Sequence, residues 1–252
     1  MLTDWHFYLA AIPAVILMGF AKGGFSGLSL LSTPLLTLAI SPVRAAAIML
    51  PILVVQDVVS VWAYRRSFDR RTLALMLPGS MLGIFLGWLL AARVSDALVG
   101  VAVGLIAVGF VGLGALRALG RLPQASPGLH QATALPAAFW GAFSGFTSFI
   151  SHAGGPTFQV YVLPLNLPVQ VYAGTTAMFF AVTNFVKLGP YLALGQFSRD
   201  NLVTSAGLFP LAIAATFAGV WLVQRVAPQK FFTAIYAITL VVGLKLIADG
   251  LM

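Results

Sequence analysis

The chain predicts an all-α polytopic membrane fold, and three observations carry that expectation. Charged residues are too scarce to clothe a water-facing surface, the apolar residues gather into span-length blocks, and the alternation of barrel strands is absent. Charged residues make up 8% of the 252 and hydrophobic ones 60%, with a mean hydropathy of +0.99. A soluble domain carries about 25% charged residues. The blocks run for roughly 18–25 residues, the length a helix needs to cross ~30 Å of hydrocarbon. Lipid offers a backbone amide no partner, so such a block must satisfy its own hydrogen bonds as a helix or join a closed barrel. Alternating ten-residue segments of the barrel kind do not occur.

Apolar runs between charged residues and Pro/Gly breaks predict blocks near 6–41, 45–64, 72–92, 96–116, 134–167, 169–191, 201–223 and 230–248. The segment Met1–Asp4 lacks the basic n-region of a cleaved signal peptide, so the first block reads as a retained membrane segment. Arg44 and the Arg65-Arg66 pair bound the second block, and Arg71 and Arg93 the third. The fourth stands between Asp96 and Arg117. Arg117 to Thr133, with Pro123, Ser126 and Pro127, is the one sizeable polar stretch. It predicts a first membrane repeat over 1–120, a linker over 121–133 and a second repeat over 134–252. The first block of each half is too long for one straight span: 6–41 as a helix measures ~54 Å at ~1.5 Å per residue. Each is interrupted by glycines, Gly23-Gly24 and Gly154-Gly155-Pro156. Two closely spaced spans, a kinked helix, and a re-entrant hairpin of two half-helices whose tips meet inside the protein all fit this pattern.

Four matches in the same order link the halves. Ala21-Lys22-Gly23-Gly24 is echoed by His152-Ala153-Gly154-Gly155, and Ser41-Pro42-Val43 by Leu167-Pro168-Val169. Phe68 to Leu73 parallels Phe197 to Leu202, and Arg93-Val94 parallels Arg225-Val226. A duplicated bundle of this kind is common among secondary transporters. If each first block returns to its starting side, the halves are inverted, and eight basic residues face the cytoplasm against three outside. If each crosses once, the split is seven against four. Positive-inside bias leans to the inverted arrangement.

The net charge of +8 is explained by those loops rather than by nucleic acid, which is not an expected partner. There is no cysteine, so disulfides, thiol nucleophiles and cysteine metal sites are excluded. No Walker lysine loop, dinucleotide fingerprint or HExxH motif occurs. No cofactor, metal site or enzyme activity is expected.

Polar residues deep in apolar blocks are costly and mark function by default. The first cluster is Lys22, Gly23, Gly24 and Ser26, with Ser29, Ser32 and Thr33. Glycines let backbone amides approach a ligand, and a half-helix starting near Ser26 would turn its positive end to the break beside the Lys22 charge. That describes an anion site; a Gly-rich packing seam with a snorkelling lysine is the alternative. The second cluster holds Ser151, His152, Gly154, Gly155 and Gln159. His152 is able to take a proton or hold an anion, or to serve as a hydrogen-bonded structural residue. Gln56 and Asp57 in the second block, and Asn184 and Lys187 in the sixth, are candidates for coupling or for an ion pair. Asp57 is the one acidic residue well inside an apolar run.

At these residues the chain resembles the TauE/SafE sulfite-exporter family of membrane proteins. The resemblance covers Leu9 to Leu251 and rests on Gly-Phe-Ala-Lys-Gly-Gly-Phe-Ser-Gly at 19–27, its Gly-Gly-Pro counterpart at 154–156, and the duplicated eight-block layout. It implies a carrier that exports or exchanges sulfite, sulfoacetate or related organosulfonates, coupled to an ion gradient; sulfur in the substrate is an implication of the resemblance alone. The expected function is a secondary transporter moving a small anion out across a bacterial cytoplasmic (inner) membrane, the alternatives being an anion channel or a non-transporting scaffold. Its partners would be the anionic substrate, a coupling proton and membrane lipid, with self-association into a homo-oligomer left open.

Overall fold

The computed structural model of the protein describes residues 5–37, 39–91, 93, 95–119 and 133–251. Among them run ten α-helices and no strand: α1 (Trp5–Gly23), α2 (Ser29–Thr37), α3 (Pro42–Tyr64), α4 (Arg70–Leu90), α5 (Asp96–Ala118), α6 (Ala134–Ser151), α7 (Gly154–Val162), α8 (Val169–Ala193), α9 (Arg199–Val223) and α10 (Pro228–Leu251). Seven of these, namely α1, α3, α4, α5, α8, α9 and α10, are long and apolar enough to cross a membrane. Six of the eight blocks each become one helix, and each first block becomes two. The expected linker lies outside the described residues except for Thr133, which stands at the N-cap of α6.

In the first half the break falls at the predicted glycines and in the second at His152-Ala153, just before them, and in both the limbs are unequal. In the first half a 19-residue helix is followed by one of 9, and in the second an 18-residue helix by one of 9. The longer limb is ~28 Å long at ~1.5 Å per residue, close to a full bilayer core, and the shorter one about half of that. The short limb folds back on the long one: Ser32 Oγ lies 3.9 Å from Met18 Sδ, and Thr147 and Thr157 hydroxyls are 3.5 Å apart.

The helices form two compact units that each draw on both halves of the chain. The first contains α1, α2, α3, α8 and α9. Gly19 abuts Ala215 and Thr216, and Gly23 abuts Gly219 so closely that an added Cβ would run into backbone. Small residues therefore let α1 and α9 pack backbone to backbone, running parallel. Tyr64 OH donates to Gly23 O at 2.6 Å, while Phe7, Leu36, Ala45 and Ile48 meet in one cluster. So α1 and α3 also run parallel, and the first block returns to the side on which it began. The second unit contains α4, α5, α6, α7 and α10. Here α4 and α6 run parallel, with Gly79 against Ala138, Gly83 against Ala142 and Gly145 against Ser80. In both units the first helix of one half thus lies along the fourth helix of the other.

Candidate functional site: a buried charge cluster beside the α1 break

Lys22 occupies the last turn of α1. The helix ends because Gly24 takes φ +138°, a conformation that side chains rarely adopt. Helix ends leave carbonyls without partners, and α3 supplies donors for two of them. Ser60 Oγ reaches Lys22 O at 2.9 Å, and Tyr64 OH reaches Gly23 O. The break is level with the ends of neighbouring helices, since Gly24 packs on Val223 and Ala173. It therefore sits near one end of this unit's long helices rather than halfway along them.

From there the Lys22 ammonium reaches Asp57 Oδ1 at 2.5 Å. Asn184 Nδ2 donates to the other oxygen, Oδ2, at 2.7 Å. Both oxygens of one carboxylate are thereby held by donors from two other helices, α1 and α8. Lys22 Nζ also lies 5.6 Å from the centre of the Phe180 ring, a distance at which the ring face attracts a cation. Lys187, one turn beyond Asn184, is fully buried and close enough to feel the charges of Lys22 and Asp57. The first unit thus gathers two lysines around one buried aspartate, ~10 Å or more from the end of α3 by helix rise.

Gln56 is fully buried, with Nε2 on Val15 O at 3.3 Å and Oε1 without a hydrogen-bond partner among the described residues. Ser26 Oγ pairs with Tyr172 OH at 3.2 Å. Ser29 and Ser32 instead bond carbonyls of their own turn; the Thr33 side chain lies outside the described residues. Asp57 also lines a cavity of about 610 Å³ between α3 and α8. Val54, Val58, Val61, Met178 and Phe185 make its wall apolar, and Arg65 stands on its lining.

The second cluster lies in the second unit. His152 closes α6 in the left-handed region, φ 54°, where glycine or asparagine is the usual residue. Its N–H reaches Ser148 O at 3.2 Å and that of Ala153 reaches Thr147 O at 3.1 Å. Gly154 and Gly155 open α7, with Pro156 tolerated in its first turn. Gly154 O accepts from Ser144 Oγ at 2.8 Å and from Thr157 Oγ1 at 2.9 Å. Ser151 Oγ turns back to Thr147 O at 3.4 Å. Gln159 Oε1 accepts from Thr239 Oγ1 at 2.6 Å. This cluster is built of hydroxyls, an amide and one imidazole, in contrast to the charged first cluster.

Lys22, from the first candidate cluster, and Asp57, Asn184 and Lys187, from the coupling or ion-pair candidates, lie together in the first unit. Ser60, Tyr64, Tyr172 and Phe180 were not anticipated. Ser60 and Tyr64 had a signal: with Gln56 and Asp57 they form a polar stripe at helical spacing on α3. Tyr172 and Phe180 had none, because their position depends on how α8 meets α1. Among the described residues no group of three or more His, Cys, Asp or Glu is placed to hold a metal.

No curated protein and no solved structure matches the chain. The family model described as Sulfite exporter TauE/SafE matches residues 11–246. With that match over nearly the whole of a chain that carries seven span-length helices, the protein is an integral membrane protein and belongs to the TauE/SafE sulfite exporter family.

Proposed function

We propose that the protein is a secondary carrier that exports sulfite or an organosulfonate across a bacterial cytoplasmic membrane, with Lys22 as the cation that meets the anion. The observation that carries this reading is the buried Lys22–Asp57–Asn184 arrangement, with Lys187 beside it, at a break in α1. Burying such charges in an apolar interior is costly, and in membrane proteins they accompany ion and proton pathways. Gly23, Gly24 and Ser26 at the break, and Ser151, His152, Gly154, Gly155 and Gln159 in the second unit, are the proposed substrate contacts. Gln56, Asp57, Asn184, Lys187 and His152 are the proposed coupling residues, the coupling ion being a proton.

Inverted repeats are part of this proposal, and the first unit supports them. Thr175 Oγ1 accepts from the Asp69 N–H at 2.9 Å, so α8 begins at the level where α3 ends. Residues 70–168 leave and re-enter at the same level. If α4 and α5 each cross once, α6 and α7 together make no net crossing, which matches the return seen for α1 and α2.

Counterflow in proteoliposomes tests the function. Vesicles preloaded with unlabelled sulfite or sulfoacetate should take up the labelled anion several-fold faster than empty ones. Flux that ignores the trans anion would indicate a channel, and absence of flux for every sulfite and sulfonate tried would indicate a scaffold.

A further inference from the structure

We propose that the Asp57 carboxylate is an internal stand-in for the substrate anion: it must take up a proton and release Lys22 before the anion binds, so that one proton crosses with each anion. The inference rests on the reading of the α1 break as the anion site.

The geometry is that of an anion site already filled. One oxygen of Asp57 takes the Lys22 ammonium and the other the Asn184 amide, the charge-assisted donors an oxyanion would seek. Sulfite and sulfonates present oxygens of the same kind, so these donors serve the carboxylate or the substrate, not both. Two anions at this point would also repel one another in a site shielded from water. Protonation resolves the competition, because a neutral carboxyl no longer holds the ammonium. It also has somewhere to go. Asp57 lines the apolar cavity beside Val54, Val58, Val61, Met178 and Phe185. A neutral carboxyl enters such a space at far lower cost than a carboxylate.

The groups facing Asp57 fit this scheme. Lys22 comes from α1, and Asn184 and Lys187 from α8. Gln56 is its neighbour on α3, and Arg65 lines the same cavity. No titratable residue occurs in α2, and those of α9 are Arg199 and Asp200 in its first turn. On the loading side a proton from water binds Asp57 and the anion takes over Lys22 and Asn184. On the far side the anion leaves, the proton returns to water, and the Lys22–Asp57 pair re-forms. The carrier then resets as a closed neutral pair, and a monoanion crosses with no net charge.

Titration calorimetry of the purified protein with methanesulfonate, whose charge does not vary with pH, tests this. Repeating it in buffers of different ionisation heat counts protons taken up. Wild type should take up about one proton per anion at alkaline pH, with Kd rising about tenfold per pH unit. Asp57→Asn should bind with no proton uptake and a flat pH profile. Binding by wild type without proton uptake, or uptake that persists in Asp57→Asn, overturns the inference. Should Asp57→Asn fail to fold, infrared difference spectra of wild type decide. Asp57 is the one acidic residue well inside an apolar run, and methanesulfonate should raise a protonated-carboxyl band; absence of the band overturns the inference. The two readings fail differently. If neither methanesulfonate nor sulfite binds, or if Lys22→Met leaves their affinity unchanged, the anion site lies elsewhere and both fall. If Lys22 matters and no proton is taken up, only the stand-in role falls.

Discussion

Asp57 shares its two oxygens between an ammonium and an amide, and that sharing changes what single substitutions should do. Lys22→Met keeps the apolar stem and removes the charge, but it also strips Asp57 of its ion-pair partner. Breaking a buried pair from one side costs roughly 3–5 kcal/mol, because the remaining charge is left uncompensated. Lys22→Met and Asp57→Asn should therefore each lower thermal stability, whereas the double variant should recover most of the loss. A double-mutant cycle in one detergent measures this, and strictly additive losses would show that the pair does not hold the fold. Anion affinity should fall at least tenfold in Lys22→Met and stay low in the double variant, which separates the binding role from the structural one. The four members of this cluster were legible because each is a polar residue inside an apolar run. Who pairs with whom was not. Asn184 reaches Asp57 only because α8 runs antiparallel to α3, and that depends on pairing over 127 residues of sequence.

The broken helices show why the position of a break is easier to read than its form. Gly23-Gly24 ends α1, but the length of each limb is set by partners elsewhere: Ser60 and Tyr64 satisfy the carbonyls of Lys22 and Gly23 and so fix where α1 stops. Removing both donors in Ser60→Ala/Tyr64→Phe should cost about 1–3 kcal/mol per unsatisfied carbonyl. The expected readout is faster hydrogen exchange at 20–25 with little change elsewhere. In the second half the matching helix ends earlier than its glycines, at His152, whose left-handed backbone no propensity rule favours. The glycine seams give a sharper contrast. Gly23→Ala would drive a methyl into the Gly219 backbone and Gly83→Ala into the Ala142 carbonyl. Neither backbone yields cheaply, so both variants should be strongly destabilised. A Cβ added at Gly109 or Gly112 on α5 would meet nothing within 4 Å among the described residues beyond its own helix, and alanine there should be neutral or stabilising by up to about 1 kcal/mol. Equal Tm values across the four variants would mean that the seams are not closely packed.

At the scale of the molecule, the span-length helices were legible from hydropathy, and the two broken blocks from their glycines. The exchange of helices between halves was not legible, since a repeat in sequence says nothing about whether its parts pack on themselves or on the other copy. That exchange bears on topology. Trp62 and Phe217 make an edge-to-face contact, their ring centres 6.2 Å apart, and Arg65 and Gln224 line one cavity of about 300 Å³. So α3 and α9 end on the same side, whereas Arg44 hydrogen-bonds Asn201 at 3.3 Å where both helices begin. Arg65 stacks on Trp62 and Arg225 on Trp221, the pairing of aromatic ring and cation that suits a membrane–water interface. A first block that crossed once in each half would instead put Arg65 and Arg225 on opposite sides. Because the chain has no cysteine, single introduced thiols report sidedness without background. Arg66→Cys and Gln224→Cys, both at exposed positions, should react with an impermeant maleimide from the same face of intact cells, the cytoplasmic one by the positive-inside bias. They should stay unlabelled until the membrane is opened, while Asp200→Cys should label at once. Labelling of Arg66→Cys and Gln224→Cys from opposite faces would overturn the inverted arrangement.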